Sequence, residues 1–347
     1  MTSWSRGRRR RGLSGHSFRY VPAHLLAGEP HVIVDGAARP GTVYTLSHWP
    51  GTPTPPSLNA DLSAEIVRLA LAAGETLPAV DVASIDHYDV DGVVALALLV
   101  IEGLDAEHGP ILVEAARVGD FDVVTDRRAA LIAFALNAID DHEKARPRDT
   151  FEYGGVVAGK ALDVLSALAA DPQRFESLWR AECAAYDASV RALAEGAATI
   201  EEIPELDLAV VTVAPRHHGA PSWGSWPIHR AAVHSETDCL RVATLAGGRM
   251  EFRYRYESWV RLATRRPRPR VDLDQLARDL TAAEAASARW TFDGAGSITG
   301  SLHLIGDDTT TTLEPRRIVD MISGALAALD RGPPAWDPYG GGRSGDR

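Results

Sequence analysis

Cysteine is nearly absent. The two in 347 residues, Cys183 and Cys239, are not in a C-x-x-C pair, which excludes a disulfide framework and a zinc knuckle. Long apolar runs are missing too. The longest, Val93 to Ile101, is about half of what a membrane span needs. The basic start is followed by Ser, Gly and His and not by an apolar stretch, so no secretory leader is read there. A G-x-S-x-G elbow and a Walker loop are also lacking, which removes two common routes to a hydrolase or nucleotide-binding reading. The expectation is a cytoplasmic protein with no membrane partner.

Positive charge is scarce outside one tail. The net charge is −11, yet residues 1–20 hold six Arg (6, 8, 9, 10, 11 and 19) and no acid; the remaining 30 basic against 47 acidic groups leave 21–347 at −17. A body this acidic repels long polyanions, so extended nucleic acid is not the expected partner. Hydrophobic residues at 45% supply enough apolar surface for real cores.

The chain reads as a disordered basic tail (1–18), an α/β domain (19–150), a helical linker (151–200), an α+β domain (201–331) and a disordered Gly/Pro-rich tail (332–347). In the first half, His31–Val34, Thr42–Ser47 and Ala79–Ile85 have strand composition. Ser63–Ala73 has helical periodicity, with Gly74 as its stop, and Asp91–Leu104 is apolar nearly all round and so reads as a buried helix. Strand–helix alternation predicts a parallel, Rossmann-like sheet. After Gly109 the segment is either a buried strand or a short helix started by Pro110 and stopped by Gly119. Asp126 caps a helix to about Ala138, and Val156–Ala169 and Pro172–Glu195 are further helices, the last long enough to bridge two domains. In the second half, Leu208–Val213, Cys239–Leu245 and Met250–Glu257 read as strands, the last two joined by a Gly247-Gly248 hairpin. Helices from Leu273 to about Ala286 and from Pro315 to Leu329 flank Leu302–Ile305.

What is present in quantity is chemistry around one strand end. In Ser84-Ile85-Asp86-His87-Tyr88-Asp89-Val90-Asp91-Gly92, a strand runs into His-x-Asp-x-Asp-Gly and a helix follows at once. If the extended form continues, alternation sends His87, Asp89 and Asp91 to one side, at the end of a parallel strand where ligands meet the sheet. One imidazole and two carboxylates suit Mn²⁺ or Mg²⁺ better than Zn²⁺. The alternative is that Asp89 or Asp91 is only a helix N-cap. Gly92 is expected to let the chain turn tightly into the helix.

HYDVDG resembles the first motif of the DHH phosphoesterase superfamily, whose members include single-strand exonucleases, oligoribonucleases, cyclic-dinucleotide phosphodiesterases and manganese pyrophosphatases. The resemblance implies a parallel α/β domain, a linker helix and a smaller α+β substrate domain. It carries His87, Asp89 and Asp91 over as ligands of a two-metal centre that activates water for attack on phosphorus. It also implies an aspartate on the next strand, for which Asp120 in VGDFD is the candidate, and a later triplet matched by Asp140-Asp141-His142, where DDH stands in place of DHH. About 60 ordered residues precede the motif, which the superfamily places near its domain start, and only GAGSITGSLHL (Gly294–Leu304) stands near the expected GGGH. LSHWPG together with HxDxDG also resembles a bacterial family of uncharacterised proteins.

Other residues add to this set. Ser47-His48-Trp49-Pro50-Gly51 leaves a strand, so His48 is placed beside the same crevice if the strands are neighbours; an N-cap at Ser63 or Asp61, with Trp49 as a core lid, is the structural alternative. Arg253 and Arg255 alternate on one strand face and can clamp phosphate, or form cross-strand ion pairs. The expected function is hydrolysis of a small phosphorylated compound or short oligonucleotide, with His87, Asp89, Asp91 and His48 catalytic. Asp120, Asp141 and His142 complete the metal ligands in this reading, and Arg253 and Arg255 hold the substrate. Two alternatives stand beside it: a relative that binds metal or nucleotide without turnover, and an unrelated α/β enzyme in which the aspartates are caps and His48 is the base.

Overall fold

The structure is a computed structural model that describes residues 18–49, 52–73, 80–144, 150–214, 228–246, 249–254, 273–285, 289–293, 301–305 and 311–330. The expected tails, the Gly247-Gly248 turn, Arg255 and most of Gly294–Leu304 lie outside these residues. The chain divides into two compact units, Met1–Cys183 and Ala184–Arg347.

The first unit is built on four short strands: β1 (Arg19–Tyr20), β2 (His31–Val34), β3 (Thr42–Leu46) and β4 (Val82–Ser84). Their order is β1-β4-β2-β3 and every pairing is parallel. β2 is buried on both faces, as parallel strands covered by helices must be. The helices are α1 (Ser63–Ala72), α2 (Val90–Val100), α3 (Leu104–Phe121), α4 (Arg127–Lys144) and α5 (Thr150–Ala170). α2 packs against α1, α3, α4, α5 and three of the strands, which is why its sequence is apolar all round.

Several sequence readings are corrected here. α2 stops at Val100, and Gly103 (φ +81°) turns the chain into α3. α3 is neither a strand nor a short helix begun by Pro110. It runs through Pro110, and Leu112, Ala115, Ala116 and Val118 form a buried helical stripe. Gly119 does not stop it either. A β carbon there would lie 2.5 Å from Val90 Cβ, so this glycine lets α3 approach the start of α2. α4 is capped by Asp126 as expected but continues to Lys144.

The division between the units falls within α6 (Glu176–Ala194). The second unit holds β5 (Ala198–Ile203), β6 (Leu208–Val213), β7 (Arg241–Ala246), β8 (Arg249–Tyr254), β9 (Arg289–Asp293) and β10 (Ser301–Ile305), in the order β5-β6-β7-β8-β10-β9. All pairs are antiparallel except β6–β7. α7 (Arg230–Glu236), α8 (Leu273–Ala283) and α9 (Pro315–Asp330) complete it. Alternation along the strands sorts the core. Leu208, Val210, Leu245 and Phe252 pack with Leu276, Leu280, Ile318 and Ile322, whereas Val211, Val213, Val242 and Ala246 pack with Ile228 and Val233. β5, β9 and α7 had escaped the sequence reading. Among the described residues, no helix is long and apolar enough to cross a membrane.

Candidate metal centre

Three adjacent parallel strands end on one side of the first sheet, and each delivers a ligand-bearing residue just past its last paired position. β2 leads to Asp35, β3 to His48 and β4 to His87. Asp35 was not singled out from the sequence, yet it lies between the other two. Its backbone N–H still donates to Leu46 O at 3.1 Å, which continues the ladder, and its φ of +44° then turns the chain away. Aspartate is among the few side chains that tolerate that region.

Both histidines aim Nε2 at this carboxylate. His48 Nε2 is 3.4 Å from Asp35 Oδ1, and His87 Nε2 is 3.6 Å from Asp35 Oδ2. His48 donates from Nδ1 to the Asp61 carbonyl at 2.7 Å, which leaves Nε2 for the cluster. His87 Nε2 also meets Asp89 Oδ2 at 2.8 Å, and the Trp49 ring lies tilted over His87 at a centroid distance of 5.0 Å.

The expected set of His87, Asp89 and Asp91 is divided in the structure. Ligand atoms of Asp35, His87 and Asp89 lie within 4.8 Å of one another, as do those of Asp35, His48 and Asp91, so Asp35 is common to two groups. The simple alternation argument fails because β4 ends at Ser84 and Asp91 already sits in the first turn of α2. The cap reading holds alongside the ligand reading. Asp89 is the N-cap of α2, accepting from Gly92 N at 2.7 Å. Asp91 accepts from Ser63 N at 2.7 Å and Ala64 N at 2.9 Å, and so caps α1 from another helix. Neither Ser63 nor Asp61 is the cap of α1; Leu62 occupies that position, and the Ser63 hydroxyl donates to Asp35 Oδ1 at 2.8 Å. Two helix N-termini thus face the carboxylates, an arrangement that favours negative charge.

Asp120 reaches the cluster from the end of α3 and not from a strand, with Oδ2 3.5 Å from His48 Nε2. Asp140, Asp141 and His142 lie in the last turns of α4, and the side chains of Asp141 and His142 fall outside the described residues. Arg253 is in β8 of the second unit, opposite Val242 and Ser301, and its side chain also falls outside them.

Burial grades the site. Side-chain exposure is 0% for Asp35 and Asp91, 7% for Asp120 and 11% for His48, against 36–37% for Asp89 and His87, so the site opens at the Asp89–His87 side. Charge follows the same gradient. Burial, then the charge of Asp89, pushes the Asp35 carboxyl up. Burial and the charge of Asp35 push Asp91 up to about 7. Burial and the charges of Asp91 and Asp89 hold Asp120 well above the usual carboxylate range. Burial opposes protonation of His87, but Asp89 and Asp86 overcome it and raise the imidazole to about 12. Burial likewise opposes protonation of His48, which the hydrogen bond and charge of Asp35 nevertheless hold well above the ordinary imidazole value. Asp89 is raised by burial but brought down to about 2 by the charge and hydrogen bond of His87.

A divalent cation fits this set on two observations. Asp35 Oδ2 is buried and accepts no hydrogen bond, a costly state for a carboxylate oxygen. The motif glycine, Gly92, keeps the space beside it open: a β carbon there would lie 2.9 Å from Asp35 Oδ2 and 3.0 Å from Asp89 Oδ1. Close approach, and not a tight turn, is what this glycine provides.

The model of a family described as "Family of unknown function (DUF6687)" matches residues 16–320. No curated protein matches the sequence. Among solved structures, the crystal structure of RecJ in complex with Mg²⁺ from Thermus thermophilus aligns at 15% identity with a TM-score of 0.27, over 88% of this chain and 50% of that one. The chain thus spans about half the length of that RecJ structure, a likeness too slight to define either fold or activity.

Proposed function

This chain belongs to DUF6687, a family of unknown function, and we propose that it is a metal-dependent phosphoesterase acting on a small phosphorylated compound or short oligonucleotide. The observation that carries the reading is the buried, hydrogen-bond-free Asp35 oxygen at the meeting point of two His/Asp groups. The resemblance of His87–Gly92 to the DHH first motif supplies the reaction class.

Asp35, His87 and Asp89 would hold one divalent cation, and Asp35, His48 and Asp91 a second, with Asp120 beside His48. An oxygen-rich set with one imidazole per position favours Mn²⁺ or Mg²⁺. When bound, such a pair supplies Lewis-acid polarisation of a phosphoryl group and a more acidic water. The chain's own residues do the rest. Asp35, fixed by Ser63, sets the relation between the two positions. The Asp61 carbonyl keeps the His48 Nδ1 proton turned away from the cluster. α1 and α2 N-termini stabilise the carboxylates that must stay ionised. The more exposed Asp89–His87 side admits the anion, with the Trp49 ring packed against one face of His87.

The test is Mn²⁺ titration of the full chain, with melting temperature and hydrolysis of an aryl phosphodiester followed together. The reading expects stabilisation and turnover. Stabilisation without turnover across a phosphoester panel would select the binding alternative, and the absence of both at millimolar Mn²⁺ would overturn the proposal.

A further inference from the structure

His87 has a second nitrogen, and what it touches is not explained by the cluster. Its Nδ1 is 2.8 Å from Asp86 Oδ1, on the side away from Asp35 and Asp89. Asp86 is itself held: its Oδ2 accepts from Ala37 N at 3.2 Å and lies 4.0 Å from the Arg39 guanidinium. The carboxylate occupies a space that exists only because residue 36 is glycine. A β carbon on Gly36 would lie 2.7 Å from Asp86 Cγ and 2.8 Å from each of its oxygens. Asp35, Gly36 and Ala37 are consecutive. A single turn after β2 therefore supplies the central carboxylate, the cavity for Asp86 and the N–H that anchors it.

We propose that Asp86, seated in the Gly36 cavity, is the positioning residue that fixes the His87 ring with Nε2 facing Asp35 and Asp89. The inference rests on the metal reading above for its purpose, but its geometry is independent of bound metal. An ionised carboxylate only accepts, so without metal Nδ1 donates to Asp86 and Nε2 donates to Asp89; the Asp86 contact keeps the proton on Nδ1 and leaves Nε2 as the nitrogen that a cation would take in place of its proton. His48 is oriented the same way by the Asp61 carbonyl, so both rings present Nε2 inward through a fixed outward Nδ1–H. Ring rotation by half a turn would put carbon where each nitrogen now lies. The backbone-anchored carboxylate opposes that rotation.

Two variants and two readouts test this on the full chain. In metal-free protein, imidazole ¹⁵N–¹H spectra should show an exchange-protected Nδ1–H for His87, lost in Asp86→Ala and in Gly36→Ala. Mn²⁺ affinity, read by electron paramagnetic resonance, should fall about 10- to 100-fold in each variant. The double variant should be no weaker than Asp86→Ala alone, because both changes remove the same contact. Circular dichroism and melting temperature identify any variant that fails to fold. In that event Asp86→Asn, whose side-chain oxygen still accepts, should rescue both the protected proton and most of the affinity. A His87 Nδ1–H that is unprotected in the wild type, or unchanged in Asp86→Ala, would overturn the inference. A wild type with the protected proton but no Mn²⁺ binding would instead overturn the metal reading and leave the positioning contact standing.

Discussion

Asp91 caps a helix to which it does not belong: its carboxylate takes the Ser63 N–H at 2.7 Å and the next N–H, that of Ala64, at 2.9 Å. One residue therefore serves α1 as a cap, α2 as a first-turn acid and the metal cluster as a candidate ligand. Replacement by alanine leaves two buried N–H groups at the start of α1 without their partner. Asp91→Ala should be less stable than Asp91→Asn by about 1–2 kcal/mol, since Asn keeps one accepting oxygen. Denaturant unfolding of the metal-free proteins checks this; equal stabilities would remove the capping role.

Asp35 should trade stability for function. Asn at this position tolerates the φ of +44° and keeps an acceptor for the Ser63 hydroxyl, while the buried negative charge disappears. Metal-free Asp35→Asn is expected to melt a few degrees above the wild type and to lose the stabilisation that Mn²⁺ gives. A lower melting temperature with the Mn²⁺ response intact would contradict the assignment.

Gly92→Ala tests the open space beside the cluster. Alanine favours helix more than glycine by about 1 kcal/mol, so the fold should survive. The new methyl group would press on Asp35 Oδ2 and Asp89 Oδ1, at 2.9 and 3.0 Å. Mn²⁺ affinity measured by titration should fall at least about tenfold, with secondary structure unchanged. Unaltered affinity would show that the cation does not use those oxygens.

The pH dependence of the metal-free protein has a definite sign. Asp91 is raised from 3.8 to about 7, so the folded chain holds a proton that the unfolded chain releases, and stability is lost as pH rises through that interval. Asp35 and Asp120, also raised, act in the same direction. His87 is raised from 6.5 to about 12; its stabilising contribution is complete below 6.5 and declines as pH climbs toward 12. Asp89, lowered to about 2, contributes a constant amount above the usual carboxylate range. The melting temperature should therefore fall from about pH 5 to about pH 8 without metal, and saturating Mn²⁺ should flatten that slope by replacing protons. A metal-free melting temperature that rises over the interval would refute the charge assignments.

The parts legible in the sequence are those set by short-range periodicity. The buried runs His31–Val34 and Val93–Leu99 and the His87–Gly92 motif are local patterns, and they became β2, α2 and the mouth of the site. Asp35 was hidden because VDG after a strand is ordinary turn chemistry; only the β4-β2-β3 order puts it between His48 and His87. Asp120 was named through the resemblance as a strand residue, whereas it stands at the end of α3 beside His48. Pro110 and Gly119 usually punctuate structure, yet α3 runs through both, and at Gly119 the missing β carbon serves close packing against Val90 of α2. Asp86 carries no motif signal at all, since its role depends on the side chain that Gly36 lacks, far earlier in the chain.

The most direct test of the account is a crystal structure after a Mn²⁺ soak, with anomalous scattering recorded at the manganese edge. The expected result is one peak within ligand distance of Asp35, His87 and Asp89 and a second within reach of Asp35, His48 and Asp91. An Asp35 carboxylate bordered by no anomalous density, with the two histidines still hydrogen-bonded as in the metal-free protein, would contradict it.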